Sequence, residues 1–460
     1  MISAAMAGSG KITLNALLYV AHDSADPYQS AALHPWLGAS GRAVCENIIF
    51  AQRRYPRLFA KAAYTPVSLL QRLAREDDPT TLNKLVKNPA TPAPLLSQLA
   101  RGDGCEQRLD YIAAHPNASA ALLDSLDEPE SPTRRRFICS NPNTGLLQLN
   151  QLLESATLQD RKGMAKNSQA DAKLLRKLWQ ADDDKYLRSE IAGHRHCPDD
   201  LLDLAVASGI TLLRRKAAAN AGLSERQMLR LLADSEAQVR AATLRHLGTK
   251  KVSLADEPAR RVRRELARKT GLDDALIKRL SADEDTWVRR WVARNPATGE
   301  TVLRELAEDA ETEVRRGVAR NPFTPTDLCR QLAADEEFWV RAGIAIRSDL
   351  DRRIIARLAT DDSIDVLAGL GRNPKTPHKL LAQIAAHRNR DVRRAVILNQ
   401  QAPPKVLTEL QQDPYPPNRA MLCRHPALGE DELLDLTGDP EAQVRFNAVQ
   451  VLASRCVACD

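Results

Sequence analysis

Residues 288–309 read Val-Arg-Arg-Trp-Val-Ala-Arg-Asn-Pro-Ala-Thr-Gly-Glu-Thr-Val-Leu-Arg-Glu-Leu-Ala-Glu-Asp, and residues 314–335 read Val-Arg-Arg-Gly-Val-Ala-Arg-Asn-Pro-Phe-Thr-Pro-Thr-Asp-Leu-Cys-Arg-Gln-Leu-Ala-Ala-Asp. The two strings align without a gap, 26 residues apart, and that step decides the fold. It sets anchors at Val262, Val288, Val314, Val340, Val366, Val392, Asn418 and Val444, and Arg follows directly in seven of these eight cases. Seven residues after each of the first seven anchors stand Lys269, Asn295, Asn321, Arg347, Asn373, Asn399 and His425. With small slips the register runs back through Val239, Leu213, Leu187, Asp160, Arg134, Arg108 and Thr81, with His246, Asn220, His194, Asn167, Asn141, His115 and Asn88 in the same slot. Fourteen complete units lie between Thr81 and Gln443. A fixed period of this length is the mark of a repeat architecture.

Each unit reads as two short helices. The first, called A here, puts Val288 with Val292, Val314 with Val318 and Val392 with Val396 at i and i+4 on one face. It stops at Asn-Pro in Asn88-Pro89, Asn141-Pro142, Asn295-Pro296, Asn321-Pro322 and Asn373-Pro374, because proline pushes the preceding residue out of the α region. The second, B, is expected to open with Thr as N-cap and Pro at N1 in Thr65-Pro66, Thr91-Pro92, Thr324-Pro325 and Thr376-Pro377. Leu95, Leu96 and Leu99, or Leu328 and Leu332, form its buried stripe. Acidic runs such as Asp283-Glu-Asp285 and Asp335-Glu-Glu337 close the unit where the next A helix begins. A unit this small cannot bury its apolar face alone, so neighbours stack on one continuous core. The fold class is all-α, an α-solenoid.

The string Val-Arg-Arg-x-Val-Ala-Arg-Asn-Pro-x-Thr-Pro-x-x-Leu-Leu-x-x-Leu-Ala-x-Asp resembles the leucine-rich repeat variant family over about residues 55–455. The resemblance implies a right-handed superhelix of alternating short helices, α or 3₁₀ for one of the two, akin to HEAT and armadillo solenoids, and it implies no reaction. Some relatives carry a cysteine-rich iron–sulfur module ahead of the repeats. Residues 1–80 hold only Cys45, too few thiolates for such a cluster, and no cofactor is carried over. The expected organisation is a non-repetitive cap at 1–54, a first solenoid arm at 55–238, a shortened unit at 239–261 acting as a hinge, and a second arm at 262–460 ending in a C-terminal cap.

Composition agrees with a soluble chain: 460 residues, 43% hydrophobic, 27% charged, 4% aromatic, net charge +7. No stretch approaches 18 consecutive apolar residues, so no membrane span is expected. The first residues lack the basic start and apolar core of a secretory signal, and the cytoplasm is the expected location.

Most candidate chemistry dissolves on the repeat. His115, His194, His246 and His425 occupy the Asn slot, where a turn-capping role accounts for them. His194-Arg-His196-Cys197 has two imidazoles and a thiol suited to zinc, yet Cys197-Pro198 stands where other units have Thr-Pro, and no metal site is assigned. Cys139 and Cys423 fall in a small slot of the A helix and Cys329 replaces a leucine, which suits buried thiols. Cys456-Val-Ala-Cys459 has redox spacing but no second pair. Ala7-Gly-Ser-Gly-Lys11 lacks the glycine and hydroxyl of a phosphate loop. No catalytic constellation emerges, and the protein is not expected to be an enzyme.

What remains is an arginine stripe: Arg263, Arg264, Arg268, then Arg289, Arg290, Arg294, then Arg315, Arg316, Arg320. Positions two and six past the anchor share a face, so stacking aligns Arg264, Arg268, Arg290, Arg294, Arg316 and Arg320 as a basic ridge. Arg289 and Arg315, one past the anchor, are expected to pair at i,i+4 with Asp285 and Glu311, as Arg341 with Glu337 and Arg445 with Glu441. Trp287, Trp291 and Trp339 beside the ridge have the composition of a binding hot spot, although filling the gap between repeats is the preferred reading. The function expected is a scaffold for a protein partner. The alternative is nucleic-acid binding along the ridge, with a HEAT-like DNA glycosylase as the enzymatic variant, whose repeats are longer than these.

Overall fold

The computed structural model describes residues 12–76, 78–101, 106–128, 131–246 and 257–458. All regular structure among them is helical, thirty-three α-helices and two 3₁₀ turns, and none is long and apolar enough to cross a membrane. The chain divides into two units, Ile49–Gly248, and Met1–Ile48 together with Thr249–Asp460. The shortened repeat expected to act as a hinge includes residues 247–256, which lie outside the described residues, as does the Ala7–Lys11 string.

The A helices Thr286–Arg294 and Ile364–Arg372 end as the sequence dictates: Asn295 and Asn373 take extended φ/ψ of −69°/127° and −73°/122° ahead of proline. The B helices begin differently from expectation. Pro66, Pro92, Pro325 and Pro377 are themselves the N-caps, and none makes a side-chain cap. The threonine before each points the other way. Thr65, Thr91, Thr324 and Thr376 donate their hydroxyls to the carbonyls of Phe59, Leu85, Val318 and Leu370, at 2.6–2.7 Å. Each of these carbonyls already accepts the backbone N–H three residues on, and the hydroxyl takes its second lone pair, which satisfies the buried threonine as well.

Three devices join repeat to repeat. Valine and alanine of consecutive A helices are fully buried, and the helices approach so closely that a Cβ on Gly317 would sit 2.8 Å from the Ala293 Cβ and 2.9 Å from the Arg290 carbonyl oxygen. Second, the Asn slot is a ladder rather than a turn cap alone. Asn321 Nδ2 donates to the carbonyls of Ala293 and Asn295 in the preceding repeat, both at 2.8 Å, while its Oδ1 accepts the Phe323 N–H at 2.9 Å. Asn88, Asn141, Asn167 and Asn220 do the same in the Ile49–Gly248 unit, and Asn295, Asn373 and Asn399 in the other. Histidine fits the slot because one ring nitrogen meets a carbonyl and the other accepts an N–H, as in His194 with Asn167 O at 2.9 Å and His196 N at 3.1 Å.

The third device corrects the expected i,i+4 pairs. Arg289 does not use Asp285; its guanidinium crosses to Asp309 of the next repeat, Nε to Oδ2 at 2.7 Å and Nη2 to Oδ1 at 3.1 Å, while Nη1 donates back to the carbonyl of Asp283 at 2.8 Å. Arg263–Asp283, Arg315–Asp335, Arg341–Asp361, Arg393–Asp413 and Arg419–Asp439 repeat this clamp, and Arg214–Asp234 makes it in the Ile49–Gly248 unit. Each aspartate also accepts the N–H two residues on, as Asp335 does from Glu337 at 2.9 Å. The planar fork, with donors left over for a backbone carbonyl, suits arginine and not lysine. In the unit that starts at Val366 both partners are missing, Leu367 replacing the arginine and His387 the aspartate, while Arg135 and Arg188 keep the arginine with Ser155 and Ser208 in the aspartate's place.

The sequence leaves residues before 55 outside the repeat, yet the described part of them, in the unit with the C-terminal repeats, stands where one more repeat would be. Arg445 stands in the clamp slot of the unit that starts at Val444, and its partner comes from the other end of the sequence. Asp26 takes that place, bonding Arg445 and accepting the Tyr28 N–H at 2.8 Å, as Asp439 accepts from Glu441. Asp26-Pro27 opens the helix Pro27–Leu33, which packs on the terminal helix Ala442–Ala458 as one A helix on another. Gln29 Nε2 donates to the Thr437 carbonyl at 2.6 Å, and the Cys456 thiol to that of Ile12 at 3.2 Å. The expected Glu441–Arg445 pair gives way to this clasp.

Candidate interaction surface

The stripe divides once its side chains are placed. Arg289 and Arg315 belong to the clamps, Arg315 only 8% exposed, and leave the surface. Arg264, Arg268, Arg290, Arg294, Arg316 and Arg320 remain on successive A helices. The preferred reading of the tryptophans as core fillers fails, because Trp287 and Trp339 are 44% and 40% exposed, and Trp291 is half-buried. Their slots lie next to the buried anchors but turn outward, where arginine covers the rings. Arg268 lies 3.8 Å from the Trp291 centroid, Arg290 4.6 Å from that of Trp287, and Arg316 4.9 Å from that of Trp339. Such contacts attract the guanidinium to the ring face.

Acids are interleaved. Arg264 makes two bonds to Asp285, at 2.6 and 2.8 Å, and holds its carboxyl below the ordinary carboxylate range against the effect of burial. Arg290 and Arg316 share Glu313, at 3.1 and 3.4 Å, and Arg268 pairs with Glu265 at 3.5 Å. Arg294 and Arg320 have no side-chain hydrogen bond or ion pair among the described residues. Burial first, then the neighbouring charges of Arg316, Arg294 and Arg290, push the Arg320 guanidinium below its usual value, and Arg290 is lowered by burial and the same crowding. The Nε atoms of Arg316 and Arg320 are buried without a hydrogen-bond partner.

An open cavity of about 460 Å³ adjoins this pair, lined by Arg294, Arg320, Pro322, Ile346, Arg347 and Asp349. The stripe pointed to Arg294 and Arg320 but not to the rest. Arg347 stands in the Asn slot, where it bonds the Asn321 carbonyl and forks onto Asp349 at 2.6 and 2.9 Å. Its side chain is too long for the slot, and Asp349 takes up the surplus donors; that substitution within the repeat was the available signal. A second basic hollow, about 650 Å³ with Arg53, Arg54, Lys61 and Lys84 around it, lies in the Ile49–Gly248 unit. All but Lys84 of that lining precedes the first complete repeat at Thr81, so the register gave no sign of it.

The remaining candidates are accounted for locally. His194 spends both ring nitrogens on backbone groups, and His196 Nδ1 meets the Ala170 carbonyl at 3.0 Å. Burial pushes the thiols of Cys139, Cys197 and Cys423 up to about 12. Cys459 and Cys105 lie outside the described residues, and among those described no group of three or more potential ligands is arranged to hold a metal ion.

No family model matches the sequence, and no curated protein matches it. Among solved structures the chain is similar to a leucine-rich repeat variant. That protein, described as having a novel repetitive structural motif, is 22% identical, with 53% of this chain and 87% of that chain covered and a TM-score of 0.31. A structure concerned with a phosphorylation switch in the interaction between cadherin and β-catenin is 14% identical over 97% of this chain and 91% of that one, at TM-score 0.18. A designed armadillo repeat protein in complex with the peptide (KR)4 is 12% identical over 78% and 98%, at 0.09.

Proposed function

We propose that this protein is a non-enzymatic, cytoplasmic repeat scaffold that holds a protein partner along the arginine- and tryptophan-bearing face of its A helices. One observation carries the reading: large aromatic side chains stand exposed on that face, pinned by guanidinium groups. Rigid aromatic and arginine side chains are what interface hot spots are made of.

The same geometry favours a protein over a nucleic acid. Base-stacking needs free ring faces, and here arginine lies over them. A phosphate-tracking groove needs an unbroken run of cations, whereas Asp285 and Glu313 interrupt the ridge and Ala342 and Ala368 take the Arg316 position in the next two repeats.

The test pairs a titration with a capture. Labelled duplex DNA is added to the full chain at low and physiological salt, and crosslinked partners of wild type and of Trp287→Ala, Trp339→Ala are compared. The expected result is no steeply salt-dependent DNA affinity and a reproducible protein partner lost in the variant. Tight DNA binding that collapses with salt and with Arg290→Glu, Arg294→Glu, Arg316→Glu would overturn the proposal.

A further inference from the structure

We infer that the cavity beside Arg294 and Arg320 is a carboxylate subsite, taking an acidic side chain of an extended partner segment with an apolar side chain next to it. The inference rests on the scaffold reading and adds the chemistry of what is held.

Arg294 and Arg320 occupy the same slot of consecutive repeats, at the ends of neighbouring A helices. With Arg290 and Arg316 they make four guanidinium groups served by one carboxylate, Glu313, which is already divided between Arg290 and Arg316. Arg263, Arg289, Arg315, Arg341, Arg393 and Arg419 are each compensated by an aspartate of the next repeat, whereas Arg294 and Arg320 have no side-chain hydrogen bond or ion pair among the described residues. Here two charges are left over, and the buried Nε atoms of Arg316 and Arg320 find no acceptor. Guanidinium carries donors only, so the missing partner is an acceptor, and an anion relieves the mutual repulsion as well. Carboxylate fits the fork geometry with two parallel bonds.

The walls narrow the choice. Pro322 and the 48% exposed Ile346 give the cavity an apolar side, which a neighbouring leucine or valine of the partner covers. Asp349, at the rim and tied to Arg347, sets a negative charge where a continuous phosphate chain would have to pass. A single carboxylate flanked by an apolar residue meets both conditions, and a polyanion meets neither.

The experiment uses the full chain. A random twelve-residue peptide display library is panned on it, and the affinities of a fluorescein-labelled Leu-Asp-Glu repeat dodecapeptide and its Leu-Asn-Gln counterpart are measured by anisotropy. Enrichment of acidic-apolar sequences is expected, with the acidic peptide binding at least tenfold tighter than the amide one. The variant Arg294→Gln, Arg320→Gln loses tenfold or more, while Arg53→Gln, Lys84→Gln in the second basic hollow binds as wild type. Neither Arg294 nor Arg320 has a partner to lose, so folding is unaffected; Ile346→Asp, at an exposed position, gives an independent loss. Equal binding of the two peptides, or full binding to the Arg294 and Arg320 variant, would sink the subsite and leave the scaffold standing. Loss confined to the Arg53 and Lys84 variant places the acidic ligand elsewhere and equally overturns the inference. A library that yields no binder, with both labelled peptides inert, removes the scaffold reading as well.

Discussion

Replacing Asp26 by Asn tests whether the beginning of the chain completes its C-terminal array through one ion pair. The carboxylate is 4% exposed and the Arg445 side chain 22% exposed. Breaking a buried pair by removing one partner costs about 3–5 kcal/mol. Arg445 keeps its bonds to the carbonyls of Asp439 and Pro440, at 2.8 and 2.9 Å, and is part-wetted, which brings the expected cost to about 2 kcal/mol. Asn still caps the Pro27–Leu33 helix, so the loss reports the ion pair; Asp26→Ala adds about 1 kcal/mol for the cap. Repeat arrays do not unfold in one step, so global melting is a poor readout. Native-state hydrogen exchange of the Pro27–Leu33 helix and the facing turns of Ala442–Ala458 reads the local opening, and 2 kcal/mol raises it about thirtyfold. Arg445→Ala is expected to make Asp26→Asn nearly silent. Exchange within threefold of wild type in Asp26→Asn, or additive losses in the double variant, would refute the clamp as what holds this segment.

Three further outcomes follow from the same repeat chemistry. Asn321→Ala strands the Ala293 carbonyl and the Phe323 N–H and leaves the Asn295 carbonyl with Thr298 N–H alone, and should cost about 2–4 kcal/mol of local stability, while Asn321→His, a residue other repeats use in this slot, should cost under about 1; hydrogen exchange of the Thr312–Ala319 and Thr326–Leu332 helices measures both. Leu367→Arg with His387→Asp installs the absent clamp and should raise the local opening free energy by about 1–2 kcal/mol, with Leu367→Arg alone neutral or worse; a positive coupling energy is required. For acid, burial pushes the Asp309, Asp361 and Asp413 carboxyls up, but their arginine partners and backbone N–H groups outweigh it and leave all three below the ordinary value. Their contribution is therefore complete above about pH 4 and is lost as pH falls below it, since the unfolded chain takes up protons first. Asp309→Asn and Asp413→Asn should flatten the decline in stability between about pH 4 and 2 followed by circular dichroism.

The sequence carried the helices because their determinants are local. Val288 with Val292, Asn295-Pro296 and Leu328 with Leu332 each decide their own turn of chain. The clamps were not legible: Arg289 has an acid four residues before it, and the local rule chose that acid over Asp309. The choice reversed because a long side chain at that slot leans towards the next repeat, where Asp309 is already oriented by the Glu311 N–H. Thr324 was misassigned for a similar reason, its hydroxyl meeting a carbonyl behind it instead of an amide ahead. Asp26-Pro27 occurs once, outside any period, so nothing marked it as the counterpart of Asp439-Pro440. On the surface, periodicity identified Arg294 and Arg320 but placed Trp287 and Trp339 next to buried valines, and only the outward turn of those slots separates an exposed ring from a core one.

The clasp between Asp26 and Arg445 has a consequence in time. Residues 12–38 leave the ribosome about 400 residues before the helix they lie on, some 20–80 s earlier at ordinary elongation rates of roughly 5–20 residues per second. Throughout that interval Leu17, Ala31, Ala32 and Leu33, all buried in the finished chain, have no surface to cover them. The repeats between can stack as they emerge, each on its predecessor, but this segment must be kept from misdocking until Ala442–Ala458 has emerged. Translation speed and holding chaperones therefore act on residues 12–38 more than on any repeat, and a chain stalled before Ala442 presents an open apolar segment that marks it as unfinished.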